Sequence, residues 1–194
     1  MARRAQQAEE RRIQLIDTAL RVFAEKGWDA TSIPDLAQAA GIAQGLMYHY
    51  FRNKEELLLA VVERHSFLPE LQRLLAIAPD RPATQVLPAV AQGFAELLQQ
   101  KRSLVQILTR EAQTDAEIGR RLDALIEEGV TLLAGYVAAR IDAHELRPHQ
   151  PSLTARSLLY TIFMSQLVHV PAQAFVSDFV HYLLEGIRVD HSAG

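Results

Sequence analysis

Histidine and acidic residues occur close together near the middle of the chain, but their spacing does not favour a metal site. His144 and Glu145 are followed by His149. The two histidines are five residues apart rather than the four that would place them on one face of a helix, and Pro148 interrupts any helix between them. We therefore predict no metal site in this segment.

The acidic pairs and the glycines also lack the arrangement that catalysis or phosphate binding requires. Glu55-Glu56 and Glu127-Glu128 are adjacent in sequence, which is typical of solvated helix faces rather than of an opposed general acid and base. The glycines form neither a dinucleotide-binding motif nor a P-loop, and no nucleophile elbow is present. The chain contains no cysteine, which excludes disulfides, thiolate metal sites and a cysteine nucleophile. We predict no enzymatic activity and no cofactor.

Composition is that of an ordinary folded protein with little excess charge. Of the 194 residues 49% are hydrophobic and 22% charged, and the formal net charge is −3. Residues 1–65 hold nine basic and nine acidic side chains, so any binding to nucleic acid depends on individually placed groups. The start shows no secretory or lipidation signal, and the apolar segment 157–170 is too short to span a bilayer. We expect a cytoplasmic protein that does not associate with membranes.

Apolar residues recur at helical spacing throughout the chain, and no segment alternates as a strand does. Ile13, Ile16, Leu20 and Phe23 mark one face of a first helix that ends near Gly27. We predict an all-α fold of about nine helices, in which Pro69 ends or kinks the fourth. The capping-box pair Thr114 and Glu117 begins the longest of the later helices, which are expected at residues 83–100, 103–113, 115–146, 152–170 and 173–189.

One segment has the spacing of a helix-turn-helix. Thr31 or Ser32 can cap a second helix, Pro34 is tolerated in its first turn, and Gly41 ends it. A third short helix is expected at about 44–51, and a fourth begins near Lys54. The apolar side chains available for a small shared core are Ile33, Leu36, Ala37, Met47 and Phe51. In such a motif the second of the two short helices lies in the major groove of DNA.

These residues resemble the tetracycline-repressor (TetR) family of bacterial transcriptional regulators. The matching pattern runs without a gap as Ile13-x-x-Ile16-x-x-Ala19-x-x-x-Phe23-x-x-x-Gly27, then Thr31-Ser32-Ile33-x-x-Leu36-Ala37-x-x-Ala40-Gly41-Ile42, then Gly45-x-x-Tyr48-x-Tyr50-Phe51-x-x-Lys54-Glu55-x-Leu57-Leu58. The resemblance implies a helix-turn-helix DNA-binding domain at 1–53. It implies that residues 54–194 form a helical domain for effector binding and dimerisation.

The resemblance also implies which residues contact DNA. It places Gln44 and His49 at base edges, where an amide or an imidazole can form specific hydrogen bonds. The remaining expected contacts are made by the flexible-arm residues Arg3 and Arg4, by Thr31 or Ser32 at the start of the second helix, by Gly45 through close backbone approach, by the Tyr48 and Tyr50 hydroxyls, and by Lys54.

Two residues depart from the family pattern, and several have a simpler interpretation. Leu46 stands where many members have a phosphate-contacting threonine, and Pro34 is uncommon in the second helix. Without the family match, Tyr48, Tyr50 and Phe51 could equally be core aromatics; with it, Phe51 is expected in the core and Tyr48 at a phosphate. His49 can contact a base, be solvated or face a phosphate. Trp28 is expected to pack at the corner between the first two helices.

The last two predicted helices leave little polar surface, which favours homodimerisation. The first is apolar on nearly every side, and the second repeats apolar pairs every four residues. The interface residues that we predict are Leu159, Ile162, Phe163, Phe179, Val180 and Leu183. The alternative is a monomer in which these residues form the core.

The function that the resemblance implies is that of a homodimeric repressor that binds a palindromic operator and is released by a small molecule. Composition favours a hydrophobic or aromatic effector, with a pocket lined by His65, Phe67, Phe94, Tyr136, Tyr160 and Met164. Two alternatives remain open. One is a DNA-binding regulator controlled by a protein partner or without an effector, and the other is an all-helical enzyme or interaction module.

Overall fold

In the part of the chain that the structure describes, every regular element is an α-helix. This computed structural model describes residues 2–77, 80–168 and 172–189, without the side chains of residues 2–4, 77 and 172–174. The helices are α1 (Ala2–Lys26), α2 (Ile33–Ala39), α3 (Gln44–Tyr50), α4 (Lys54–His65), α5 (Leu68–Ile77), α6 (Ala83–Gln100), α7 (Arg102–Glu111), α8 (Ala116–Asp142), α9 (Pro151–Leu167) and α10 (Ala172–Ile187). The all-α prediction is confirmed.

Two helix starts differ from the sequence pattern. Pro69 neither ends nor kinks α4, which stops at His65, but lies in the first turn of the additional helix α5, where its missing N–H has no helical partner. Asp115, rather than Thr114, caps α8, because its carboxylate accepts hydrogen bonds from the backbone N–H groups of Glu117 (2.8 Å) and Ile118 (3.1 Å). The second difference arises because the neighbouring residue satisfies the same free N–H groups.

The helices form two compact units that do not divide at residue 53. The first comprises Met1–Ser66 and Arg102–Asp123, and the second comprises Phe67–Lys101 and Ala124–Gly194. The fourth helix belongs to the first unit because its apolar face, including the fully buried Leu57, Leu58 and Val61, packs against α1.

In the first unit α1 packs against α2, α4 and α7. Its buried face contains Leu15, Ile16, Ala19, Val22 and Phe23, whereas Ile13 and Leu20 are half-buried. Trp28 is buried at the corner after α1, with its ring 5.2 Å from that of Phe23, as the sequence predicts.

In the second unit α6 packs against α5, α9 and α10. Two polar contacts hold the start of α6: Glu145 accepts a hydrogen bond from the Ala83 backbone N–H (2.6 Å), and Tyr136 donates one to the Arg81 carbonyl (2.6 Å). Burial, followed by the nearby Glu145 carboxylate, raises the pKa of Tyr136 to about 12, which keeps its hydroxyl a donor. Across all described residues no helix is long and apolar enough to cross a membrane.

Candidate nucleic-acid interface

Local hydrogen bonds fix the start of α2. Ser32 is the N-cap: its hydroxyl oxygen accepts from the Asp35 backbone N–H (3.3 Å), and the Asp35 carboxylate accepts from the Ser32 backbone N–H (2.9 Å). The Ser32 hydroxyl also donates to Asp35. This bond, followed by the Lys26 ammonium and the Ser32 N–H, lowers the pKa of Asp35 from 3.8 to about 2. The reciprocal capping box sets where the helix-turn-helix begins.

The turn between α2 and α3 requires a glycine. Gly41 has a φ of +65°, a conformation that side-chain-bearing residues rarely adopt. Just after it, the Ile42 backbone N–H donates to the Ala37 carbonyl and closes the end of α2. The inner faces of the two helices then meet through the fully buried Leu36 and Met47. The predicted shared core is therefore confirmed.

The opposite face of α3 is exposed and mostly polar. Gln44, Gly45 and His49 are exposed, and Tyr48 retains 49% of its surface. Tyr50 is half-buried, and its ring meets that of His49 edge to face at 5.5 Å. This face carries no lysine, arginine or carboxylate, so it presents hydrogen-bonding groups rather than fixed charges.

Two exposed residues of α3 have no role in the packing of this chain that explains their identity. A Cβ atom added at Gly45 would lie more than 4 Å from every other side chain, and the backbone there does not have a positive φ. Leu46 is 40% exposed although it is apolar. In the sequence, Leu46 is notable only as a departure from the family pattern. Its exposure in the structure places it among the side chains that α3 presents to solvent.

Thr31 is not available for a DNA contact. It is only 2% exposed, and its hydroxyl donates to the Gly27 carbonyl (2.6 Å). The prediction of Thr31 as a phosphate ligand is wrong because that hydroxyl closes the turn after α1. Ser32, one residue later, is exposed, and it could contact a phosphate only by giving up a hydrogen bond that its hydroxyl or its backbone N–H donates to Asp35.

Lys54, the first residue of α4, was expected to contact DNA but binds groups of its own chain. Its ammonium donates to the backbone carbonyls of Trp28 (2.9 Å) and Thr31 (3.0 Å). The Lys54 Nζ also lies 4.1 Å from the centroid of the Trp28 ring. The ammonium thus points into the turn between α1 and α2.

Two other cations near the helix-turn-helix are paired with carboxylates. Lys26 lies 3.1 Å from Asp35 on α2. Arg52 donates from its backbone N–H (2.7 Å) and its Nε (3.1 Å) to Glu56, and these bonds, the backbone one first, lower the pKa of Glu56. The side chains of Arg3 and Arg4 lie outside the described residues, and their backbone belongs to α1 rather than to a flexible arm.

Of the six predicted effector residues, Phe67 and Phe94 are in contact, with ring centroids 5.1 Å apart. Tyr136 holds the Arg81 carbonyl, and Tyr160 binds Glu127 and Arg156 at the surface. Met164 is 51% exposed. His65 belongs to the first unit, where its Nε2 lies 2.9 Å from Asp17.

The predicted dimer residues divide into core and surface. Leu159, Ile162 and Val180 are buried within the chain, so their assignment to an interface is wrong: they have almost no surface left to cover. Phe163, Phe179 and Leu183 are half-buried. The structure instead exposes another face of α9, formed by Leu153, Tyr160, Met164 and Val168, which we call the outer α9 stripe. The spacing of seven, four and four residues is the sequence signal for it.

Comparison with known proteins agrees with this architecture. Residues 15–61 match the family model described as bacterial regulatory proteins, tetR family. The fatty acid metabolism regulator protein of Bacillus subtilis is 24% identical over 151 residues, which cover 76% of this chain and 77% of that protein. The transcriptional repressor KstR2 of Rhodococcus jostii is 35% identical over 107 residues, 53% of this chain and 50% of that one.

A solved structure has the same fold over nearly its whole length. The transcriptional regulator FadR of Bacillus subtilis, in complex with stearoyl-CoA, superposes with a TM-score of 0.75 at 22% identity, covering 91% of this chain and 99% of that one. The helix-turn-helix pattern, its geometry and the match of residues 15–61 agree with one another. Residues 15–61 are thus similar to the DNA-binding part of the TetR family of bacterial regulatory proteins, and the chain as a whole shares the fold of solved regulators of that type.

Proposed function

We propose that this protein is a homodimeric transcriptional repressor that acts in the cytoplasm, binds a palindromic operator and is released by a small molecule. The observation that carries the proposal is the exposed polar face of α3, held in place by the buried Met47 and Phe51. A helix with hydrogen-bonding side chains on its outer face and apolar anchors beneath has the properties of a major-groove recognition helix.

Each exposed residue of α3 has a chemical role in this proposal. Gln44 and His49 form hydrogen bonds to base edges, and Leu46 packs against a thymine methyl group. Gly45 allows the backbone to approach the duplex. Tyr48 and Tyr50 donate their hydroxyls to phosphates. Outside α3, Ser32 and the arginines at positions 3 and 4 make further contacts to the phosphates of the DNA.

The outer α9 stripe supports the dimer. Its four apolar side chains lie on one side of α9, opposite the buried Ile162, and retain between 41% and 63% of their surface. Such a stripe is stable in water when a second copy covers it. Phe175 and Phe179 of α10, whose rings are stacked at 6.2 Å, and the half-buried Phe163 and Leu183 extend the apolar surface available to the partner. A two-fold dimer then explains a palindromic operator.

The effector is proposed to be a hydrophobic molecule bound by the second unit, with a long-chain acyl-CoA as the first class to test. Support comes from the similar FadR structure, which contains stearoyl-CoA, and from the apolar Phe67–Phe94 pair in this chain. The ligand releases DNA by binding more tightly to a dimer whose recognition helices are wrongly spaced for successive major grooves.

Selection of DNA fragments by the purified protein tests the proposal most directly. The protein is mixed with a pool of random duplexes at about 150 mM salt, because non-specific attraction to phosphates weakens steeply as salt rises. We expect enrichment of one inverted repeat. Recovery of no common sequence by folded, dimeric protein would contradict the function.

Titration of the protein–operator complex with stearoyl-CoA tests the effector class. We expect release of the operator together with a rise in the thermal unfolding temperature, because a ligand that binds only the folded state stabilises it. Free coenzyme A is the matched control. Operator binding that persists at saturating acyl-CoA would reject this class and leave control by another ligand or by a protein partner.

A further inference from the structure

The ammonium of Lys54 is fully engaged within the chain. A lysine ammonium has three N–H donors and no acceptor. Two of its donors reach the Trp28 and Thr31 carbonyls at 2.9 and 3.0 Å, and the Trp28 ring covers another side at 4.1 Å. Lys54 is half-buried, and Trp28 is only 6% exposed. A phosphate would have to compete with all three contacts.

These contacts close a ring of chain that contains the whole helix-turn-helix. The hydrogen bonds join residues 23 and 26 positions apart in sequence, and α2, the Gly41 turn and α3 lie between the joined residues. Thr31 immediately precedes the N-cap Ser32, so one end of the ring is the start of α2. The other end is the first residue of α4, which follows α3 after only three residues.

The turn between α1 and α2, which accepts the Lys54 hydrogen bonds, is held by its own contacts. Gly27 adopts a φ of +80°, the Thr31 hydroxyl donates to its carbonyl, and the Thr31 backbone N–H donates to the Trp28 carbonyl (3.1 Å). The buried Trp28 ring packs on Phe23 of α1. Lys54 therefore attaches α4 to a turn that is fixed to α1.

We propose that Lys54 is a positioning residue for DNA recognition and not a phosphate ligand. This inference rests on the proposed function. By joining α4 to the start of α2, the ammonium fixes the orientation of α3 between them and lowers the entropy that would be lost when α3 is ordered on DNA.

The salt dependence of operator binding distinguishes a positioning residue from a phosphate ligand. Each lost phosphate contact reduces the slope of log K against log salt by about 0.9, so a dimer that loses two contacts changes by about 1.8. For Lys54→Met we expect an operator affinity about ten-fold lower with an unchanged slope, because recognition geometry is lost rather than a counterion-releasing contact. Lys101→Met, which removes the same charge from the second unit, is the matched control. A slope smaller by about 1.8 would overturn the proposal.

Trp28 supplies a second measurement, which needs no DNA. It is the only tryptophan of the 194 residues, and a cation 4.1 Å from the indole ring influences its emission. We expect the Trp28 emission of Lys54→Met to differ from that of the unmodified protein, and that of Lys101→Met to be the same. Identical emission in all three proteins would show that the ammonium does not occupy this position.

The unmodified protein then tests whether the contact survives on DNA. If Lys54 stays on the turn, Trp28 emission remains unchanged when the operator saturates the protein. A shift towards the Lys54→Met spectrum would show that Lys54 leaves for a phosphate and would overturn the proposal. If the variant fails to fold, any shift of Trp28 emission in the unmodified protein on saturation with operator would overturn it in the same way. If no DNA is bound at all, the proposed function fails, while the emission of the free proteins still tests the contact itself.

Discussion

The outer faces of α3 and α9 differ in chemistry although both helices bury an apolar inner face. α3 buries Met47 and exposes an amide, an imidazole and a phenol, whereas α9 buries Ile162 and exposes the apolar outer α9 stripe. The packing of the buried inner residues does not explain which side chains either helix exposes. The difference indicates two kinds of partner, a polar duplex for α3 and a second apolar surface for α9.

The largest effect on stability is expected when a buried aromatic residue of the first unit is replaced, compared with an exposed one. Phe51→Ala should lower the free energy of unfolding by about 3–5 kcal/mol, because the side chain is only 1% exposed and its removal leaves a cavity. Tyr48→Ala, which replaces the half-exposed aromatic three residues earlier, should cost less than about 1 kcal/mol. Urea denaturation measures both. Equal losses would mean that Tyr48 is a core residue after all.

An exposed and a buried residue of α9, Met164 and Ile162, test the same distinction in the second unit. Met164→Glu should weaken self-association about a hundred-fold, because it places a charge in the apolar contact, while secondary structure stays unchanged. Ile162→Ala should instead destabilise the folded chain by about 2–5 kcal/mol.

Sedimentation across a range of protein concentrations measures the association, and thermal unfolding measures the stability. Gln99→Glu, an exposed substitution of the same charge on α6, is the control. A Met164→Glu protein that associates as tightly as the unmodified one would exclude the outer α9 stripe from the interface.

Substitution of Gln44 tests whether the polar face of α3 recognises bases. Gln44→Ala should remove about 1–3 kcal/mol of discrimination at one base pair of each half-site and leave stability unchanged, because the side chain is exposed. Repeating the DNA selection with the variant measures the change. If the variant enriches the same sequence with the same stringency, Gln44 does not contact a base.

Substitution of Gly45 should raise stability and weaken DNA binding at the same time. Alanine stabilises a helix interior by about 0.5–1 kcal/mol relative to glycine, and a Cβ here meets nothing within the chain. The same methyl group obstructs close approach to the duplex. Thermal unfolding and operator titration of Gly45→Ala check the two effects, and unchanged operator affinity would show that the glycine has no role on DNA.

The smallest effect concerns the capping box that positions α2. The pKa of Asp35 is about 2 in the folded chain against an ordinary 3.8, so its carboxylate contributes stability that is fully present above about pH 4 and is lost as the pH falls through about 2. Asp35→Asn should therefore lower the unfolding temperature at neutral pH, and the difference from the unmodified protein should shrink between pH 4 and pH 2. A difference that is independent of pH would contradict the ionised capping box.

Local features of the helix-turn-helix were predictable from the sequence. A cap, a glycine with positive φ and a short apolar pattern act over fewer than five residues, so a cap at Thr31 or Ser32, the turn at Gly41 and the inward position of Met47 follow from residue type and spacing. The all-α class follows from the helical period of apolar residues over the whole chain.

The tertiary structure alone decided which residues of similar type face inwards. Thr31 and Ser32 are equivalent as caps, but only the fold buries Thr31 and leaves Ser32 exposed. The helix α9 is apolar on nearly every side, so its sequence does not distinguish Ile162 in the core from Met164 at the surface. The partners of Lys54 lie 23 and 26 residues earlier in the chain. Sequence patterns report local spacing, whereas burial and long-range hydrogen bonds depend on where distant segments meet.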